Sequence, residues 1–141
     1  MSAPLNDAVR AALTGGHLAH LVTLNPDGSP QVAIVWVGLD GDEIVMGHLD
    51  SGQRKLANIA ANARVVLSME TGGRNEYGLD EYLVVHGTAR ITDGGAAELL
   101  QRLAHVYLGP DVVFPPMPNP PAGHVVHITI HRLGGIGPWK D

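Results

Sequence analysis

The sequence predicts a mainly β protein, a six-stranded antiparallel barrel with helices packed around it, and three observations lead there. Short β-rich runs follow one another across turns of a few residues, too short for the crossover that parallel neighbours need. Helical periodicity recurs in three places without the regular alternation of a parallel α/β sheet. Of the 141 residues 45% are hydrophobic and only 4% aromatic, so Val, Ile, Leu and Ala must build the core. A chain of this length suits one domain spanning residues 1–141.

Leu5, Val9, Ala12 and Leu13 recur at helical spacing behind Asn6 and Asp7, and Gly15-Gly16 ends that first helix. Two strands, His17 to Leu24 and Gln31 to Val37, flank Asn25-Pro26-Asp27-Gly28-Ser29-Pro30, whose Pro and Asp-Gly suit a hairpin. The tight turn Asp40-Gly41-Asp42 leads to a third strand, Glu43 to His48. From Ser51 the period changes, and Leu56, Ile59, Ala60 and Ala63 mark one face of a helix that Ser51 would cap. Strands are expected at Arg64 to Glu70 and, after a loop at Thr71 to Leu79, at Glu81 to Thr92, with a bend or bulge near Gly87. Leu99, Leu100, Leu103, Ala104 and Tyr107 mark the third helix, Ala96 to Leu108. A proline-rich loop, Gly109 to Gly123, precedes the last strand, Val125 to Arg132, and a tail ending Gly134-Gly135-Ile136-Gly137-Pro138-Trp139.

Composition narrows the function. A formal net charge of −5 disfavours sequence-independent nucleic-acid binding, which needs a basic face against phosphates. With no cysteine there is no disulfide framework, thiolate nucleophile or thiolate metal site. Neither a leader-like N-terminus nor an apolar run of about 20 residues is visible, so a cytoplasmic protein away from the membrane is expected. Hydrolytic triads, phosphate-binding glycine loops and paired catalytic carboxylates are not recognisable, which favours chemistry carried by a cofactor. The eight histidines include no i, i+4 helical pair, and His127 and His131 share a strand face without a carboxylate beside them, so no metal site is expected.

The most informative segment is Ser51-Gly52-Gln53-Arg54-Lys55, between a strand and a helix. Backbone N–H groups at a helix start beside two cations suit a phosphate, and they suit a capped surface helix with solvated charges equally. Trp36 and Trp139 each suit either core packing or a cofactor neighbour. The loop Val113 to Pro121 suits a wall or lid over a substrate, and also an extended segment wrapped over the barrel or docked on a second subunit.

Order and spacing along residues 11–130 resemble the pyridoxamine-phosphate-oxidase-like superfamily of FMN- and F420-binding split barrels. Three motifs carry the resemblance: Thr23 to Pro30 as its first hairpin, Ser51 to Lys55 followed by Asn62-Ala63-Arg64-Val65, and Val85-His86-Gly87-Thr88-Ala89-Arg90-Ile91 as a later strand. It implies a homodimer with two cofactor sites at the interface and a small-molecule substrate. Within each site, Lys55 with Arg54, Gln53 and Ser51 would hold the cofactor phosphate, and the backbone of Pro30, Gln31, Val32 and Ile34 would border the ring. His48 is a polar candidate near that ring, or a strand-end residue. The tail resembles that of F420-type members, so Trp139 either reaches the partner's site or packs. The implied activity is hydride transfer from reduced deazaflavin, coenzyme F420, to an unsaturated small organic substrate. The alternatives are an FMN-dependent oxidoreductase of the same fold and a non-catalytic flavin-binding protein. The longer acidic tail of F420 would call on further cations such as Arg10, Arg64 or Arg74.

Overall fold

The computed structural model describes residues 4–50 and 52–140, and Ser51 lies outside the described residues. In chain order the elements are α1 (Asp7–Thr14), β1 (Ala19–Leu24), β2 (Pro30–Val35), β3 (Gly38–Asp40), β4 (Glu43–His48), α2 (Arg54–Ala61), β5 (Arg64–Arg74), β6 (Asp80–Asp93), α3 (Ala96–Tyr107) and β7 (His124–Ile136). All ladders are antiparallel and form one seven-stranded sheet ordered β2-β1-β5-β6-β7-β4-β3.

The expected six-stranded barrel is therefore corrected to a rolled sheet of seven strands. The run from Gln31 to Val37 does not continue as one strand, and β3 is a strand of its own that hairpins onto β4 across Gly41. Its cause lies far away in sequence. The ladder of β2 on β1 ends at Val35, after which the Val37 N–H donates 2.9 Å to the Tyr107 hydroxyl, and that hydroxyl donates 2.7 Å to the His17 carbonyl. A side chain on α3 thus satisfies the backbone where a neighbouring strand would. Because β2 and β3 lie at opposite edges of the sheet yet are joined only by Trp36 and Val37, the sheet must roll until those edges are within roughly 11 Å. No ladder among the described residues closes it.

Alternation places each side chain. Ala19, Leu21 and Thr23 of β1 point inward with Val65, Leu67 and Met69 of β5 and Leu83 and Val85 of β6, forming the main core with α1 and the apolar face of α2. Asn6 caps α1 by accepting from the Val9 N–H at 2.9 Å. A bulge does interrupt β6 against β7 at His86 and Gly87, and a Cβ at Gly87 would collide with the Thr129 carbonyl. The expected loop at residues 71–79 is mostly hairpin. Its turn is only Asn75 to Leu79, where the Asn75 side chain accepts from the N–H groups of Tyr77 and Leu79. The tail glycines Gly134 and Gly135 are the end of β7 rather than a loop, and a Cβ at Gly135 would strike the Tyr82 carbonyl. No helix is long and apolar enough to cross a membrane among the described residues.

One buried polar contact ties α2 to the first hairpin. Asn58 is 2% exposed, and its amide donates at 3.0 Å to both the Thr23 hydroxyl and the Asn25 side-chain oxygen. Asn58→Ala should lower stability by about 1–3 kcal/mol, because Thr23 is left buried without this donor. Urea denaturation would read that as a lower midpoint at an unchanged slope, and an unmoved midpoint would refute it.

Candidate functional site

A cleft of about 360 Å³ opens where the end of β2, the end of β4 and the start of α2 meet. Five residues singled out in the sequence line it: Ile34, Trp36, His48, Gln53 and Lys55. Lys55 is the second residue of α2 and Gln53, not the expected Ser51, is its N-cap, so both stand at the positive end of that helix. The Lys55 ammonium is half-buried and makes no salt bridge among the described residues, and burial holds its pKa below the ordinary lysine value. His48 is 5% exposed, and its Nε2 is buried with no hydrogen-bond partner among the described residues. Burial first, then the charges of Lys55 and His124, push its pKa down to about 4, which keeps the ring neutral near pH 7.

The apolar part of the lining came only partly from sequence. Trp36, Leu100 and Phe114 belong to it. Trp36 stacks on Tyr107 with centroids 5.2 Å apart and meets Phe114 at 5.2 Å with a 54° tilt. Gln101 of α3 fixes the proline-rich loop, donating 2.8 Å to the Val112 carbonyl and accepting 3.0 Å from the Phe114 N–H. Phe114, the single phenylalanine of the chain, was the available signal inside that loop. Trp36 thus packs in an aromatic cluster with Tyr107 and with Phe114 of the proline-rich loop.

The other candidates fall elsewhere. Arg54 is exposed and outside the cleft lining. Pro30 and Val32 continue along the outward side of β2, and Gln31 faces the core side opposite Thr23. Trp139 is 5% exposed within the main core of its own chain, its indole N–H donating 2.9 Å to the Tyr82 carbonyl. Of the further cations, Arg10 pairs with Asp42 and Arg74 with Asp80, whereas Arg64 lines a second depression of about 510 Å³ on the outer sheet face, with Arg132 and His86. His127 and His131 bond through Nε2 to the hydroxyls of Thr92 and Thr88, 2.9 Å each.

The outer face of the sheet borders the cleft at Ile34. Val32 and Ile34 are 59% and 61% exposed there; Val32 pairs across with Val22 and then Val66, whereas Ile34 pairs across with His20 and then Ser68. A ligand with an anionic end and a planar apolar end fits such a cleft. Its anion would meet Lys55 and the start of α2, and its plane the Trp36 and Phe114 wall.

Comparison with known proteins bears on that ligand. The family model described as pyridoxamine 5'-phosphate oxidase matches residues 5–136. Among solved structures, one described as an F420 reductase shares 26% identity over 89% of this chain and 94% of its own, with a TM-score of 0.69. A putative pyridoxamine 5'-phosphate oxidase from Listeria innocua shares 15% identity over 92% of this chain and 96% of its own, TM-score 0.66. An FMN-binding protein from Syntrophomonas wolfei shares 11% over 93% and 85%, TM-score 0.66. No curated protein sequence matches. With the rolled antiparallel sheet and nearly the whole chain matched, this protein belongs to the pyridoxamine 5'-phosphate oxidase family.

Proposed function

We propose that the protein is an oxidoreductase that holds a flavin-type cofactor by its phosphate at Lys55 and transfers hydride to an unsaturated small organic substrate, with coenzyme F420 as first choice and FMN as the alternative. The observation that carries this is the half-buried Lys55 at a helix start, without a salt bridge among the described residues, lining one cleft together with Trp36 and Phe114. Such a cation favours an anion, and an apolar wall favours a flat ring. The likeness to an F420 reductase supports the deazaflavin, and the phosphate end of the site serves FMN equally. When bound, the cofactor supplies the hydride. The chain's own residues supply position, exclusion of water on the aromatic side and a fixed charge at the phosphate.

The functional unit in this reading is a cytoplasmic homodimer. The exposed Val32 and Ile34, with Val22 and Val66 in the row of Val32, form an apolar patch whose burial by a second copy would also cover the cleft where Ile34 borders it. Arg64, which lines the depression on the outer sheet face, is the cation this reading assigns to a longer anionic tail.

Cofactor titration of the purified protein tests the choice. Protein made in a host lacking F420 should be colourless, bind added F420 more tightly than FMN, and sediment as a dimer at micromolar concentration. A yellow protein with stoichiometric FMN and no response to F420 would overturn the first choice. A monomer at that concentration would overturn the shared-interface site.

A further inference from the structure

We propose that Asp93, His124 and His48 form a proton path from solvent to the cleft, with His48 as the group that hands a proton to the substrate. The proposal rests on the hydride-transfer reading above. Three adjacent strands create the row. Asp93 of β6 is the register partner of His124 of β7, and His124 is the register partner of His48 of β4. Residues directly opposite one another on antiparallel strands have Cβ atoms roughly 4.5–5.5 Å apart, so the two imidazoles are neighbours. The His124 Nδ1 lies 3.1 Å from a carboxylate oxygen of Asp93. Asp93 is almost fully exposed, His124 partly so, and His48 is buried where it lines the cleft. The row therefore runs from water to the site.

Gly123 fixes its far end. Its φ is +62°, and a Cβ there would strike the His48 carbonyl oxygen, so the backbone before His124 packs directly against the end of β4. The charged and titratable groups facing His48 are Lys55 from α2, His124 from β7 and Asp50 on the cleft rim, while the α3 residues against neighbouring Gly47, Ala96 and Leu100, are apolar. A neutral imidazole with one ring nitrogen buried and unpartnered suits proton transfer, because it releases a proton from one nitrogen as the other takes one up. Hydride brings two electrons to the electrophilic carbon of the substrate, and the displaced π pair takes the proton released by His48. In the same movement the other ring nitrogen of His48 takes a proton from His124, so no imidazolate forms, and His124 is reprotonated from solvent on its Asp93 side. Atoms and charge balance with the reduced flavin or deazaflavin as the only reductant.

Two measurements on the full chain test this. Without cofactor, NMR titration of the histidine ring C–H signals should place the His48 midpoint near 4, and His124→Gln should raise it by removing a neighbouring positive charge. A midpoint indifferent to His124 overturns the row. With reduced cofactor and an enone acceptor, His48→Gln should lower kcat on the order of 100-fold while cofactor Kd moves less than about threefold. His124→Gln should also lower kcat, and added imidazole should restore it, which a structural role would not allow. An unchanged kcat, or failure of imidazole to rescue, overturns the path. If the wild-type chain binds neither FMN nor F420, the cofactor reading fails instead, and the titration alone decides whether the row is coupled.

Discussion

Trp139→Ala is expected to remove about 3–5 kcal/mol of stability, the range for truncating a large buried aromatic side chain. The indole is 5% exposed, belongs to the main core and donates its N–H to the Tyr82 carbonyl at 2.9 Å. Truncation would leave a cavity beneath the end of β7 and an acceptor on β6 without its donor. For a domain of this size the melting temperature should fall by roughly 10 °C or more. Trp139→Phe should cost less, since it keeps most of the packing and loses the hydrogen bond. Calorimetry and cofactor titration on the same variant separate the two roles the tail could have. If stability is untouched and only affinity drops, the tail serves a partner's site instead of its own core.

Lys55→Ala should weaken binding of F420 or FMN by roughly 10- to 150-fold, the equivalent of a charge-assisted contact of about 1.5–3 kcal/mol. Arg54→Ala is the internal control. Its side chain is exposed and outside the cleft, so a smaller loss is expected. The pH dependence has a definite sign. Burial lowers the Lys55 pKa, so as pH rises the ammonium is lost earlier than in an ordinary lysine, and affinity should fall on the alkaline side. A bound phosphate opposes that loss by favouring the charged form. Isothermal titration across pH checks both statements, and an affinity in Lys55→Ala equal to wild type would remove the phosphate assignment.

Local chemistry made much of this molecule readable in advance. Asn6 before an apolar stripe, the Asp27-Gly28 turn and the alternation in β1 and β5 are decided within a few residues of themselves, by capping, backbone permissiveness and side-chain direction. Lys55 and Gln53 were legible for the same reason, being neighbours at a helix start. The bulge at Gly87 was legible too, as a glycine inside a strand pattern marks close backbone approach.

What the sequence alone determined was the antiparallel, mainly β class, the three helices and the cationic segment at the start of α2, because each follows from interactions between residues a few positions apart. Only the tertiary structure decided the seventh strand, since β2 ends where a hydroxyl seventy residues away takes the Val37 N–H. It alone brought Trp36, Phe114 and Leu100 into one cleft with Lys55, by rolling β2 and folding α3 with its proline-rich loop beside it. It alone aligned Asp93, His124 and His48, whose three strands meet through long-range register that no local pattern encodes. And it put Trp139 into its own core, because the glycines that read as a loose tail extend β7 and carry the indole back onto β6.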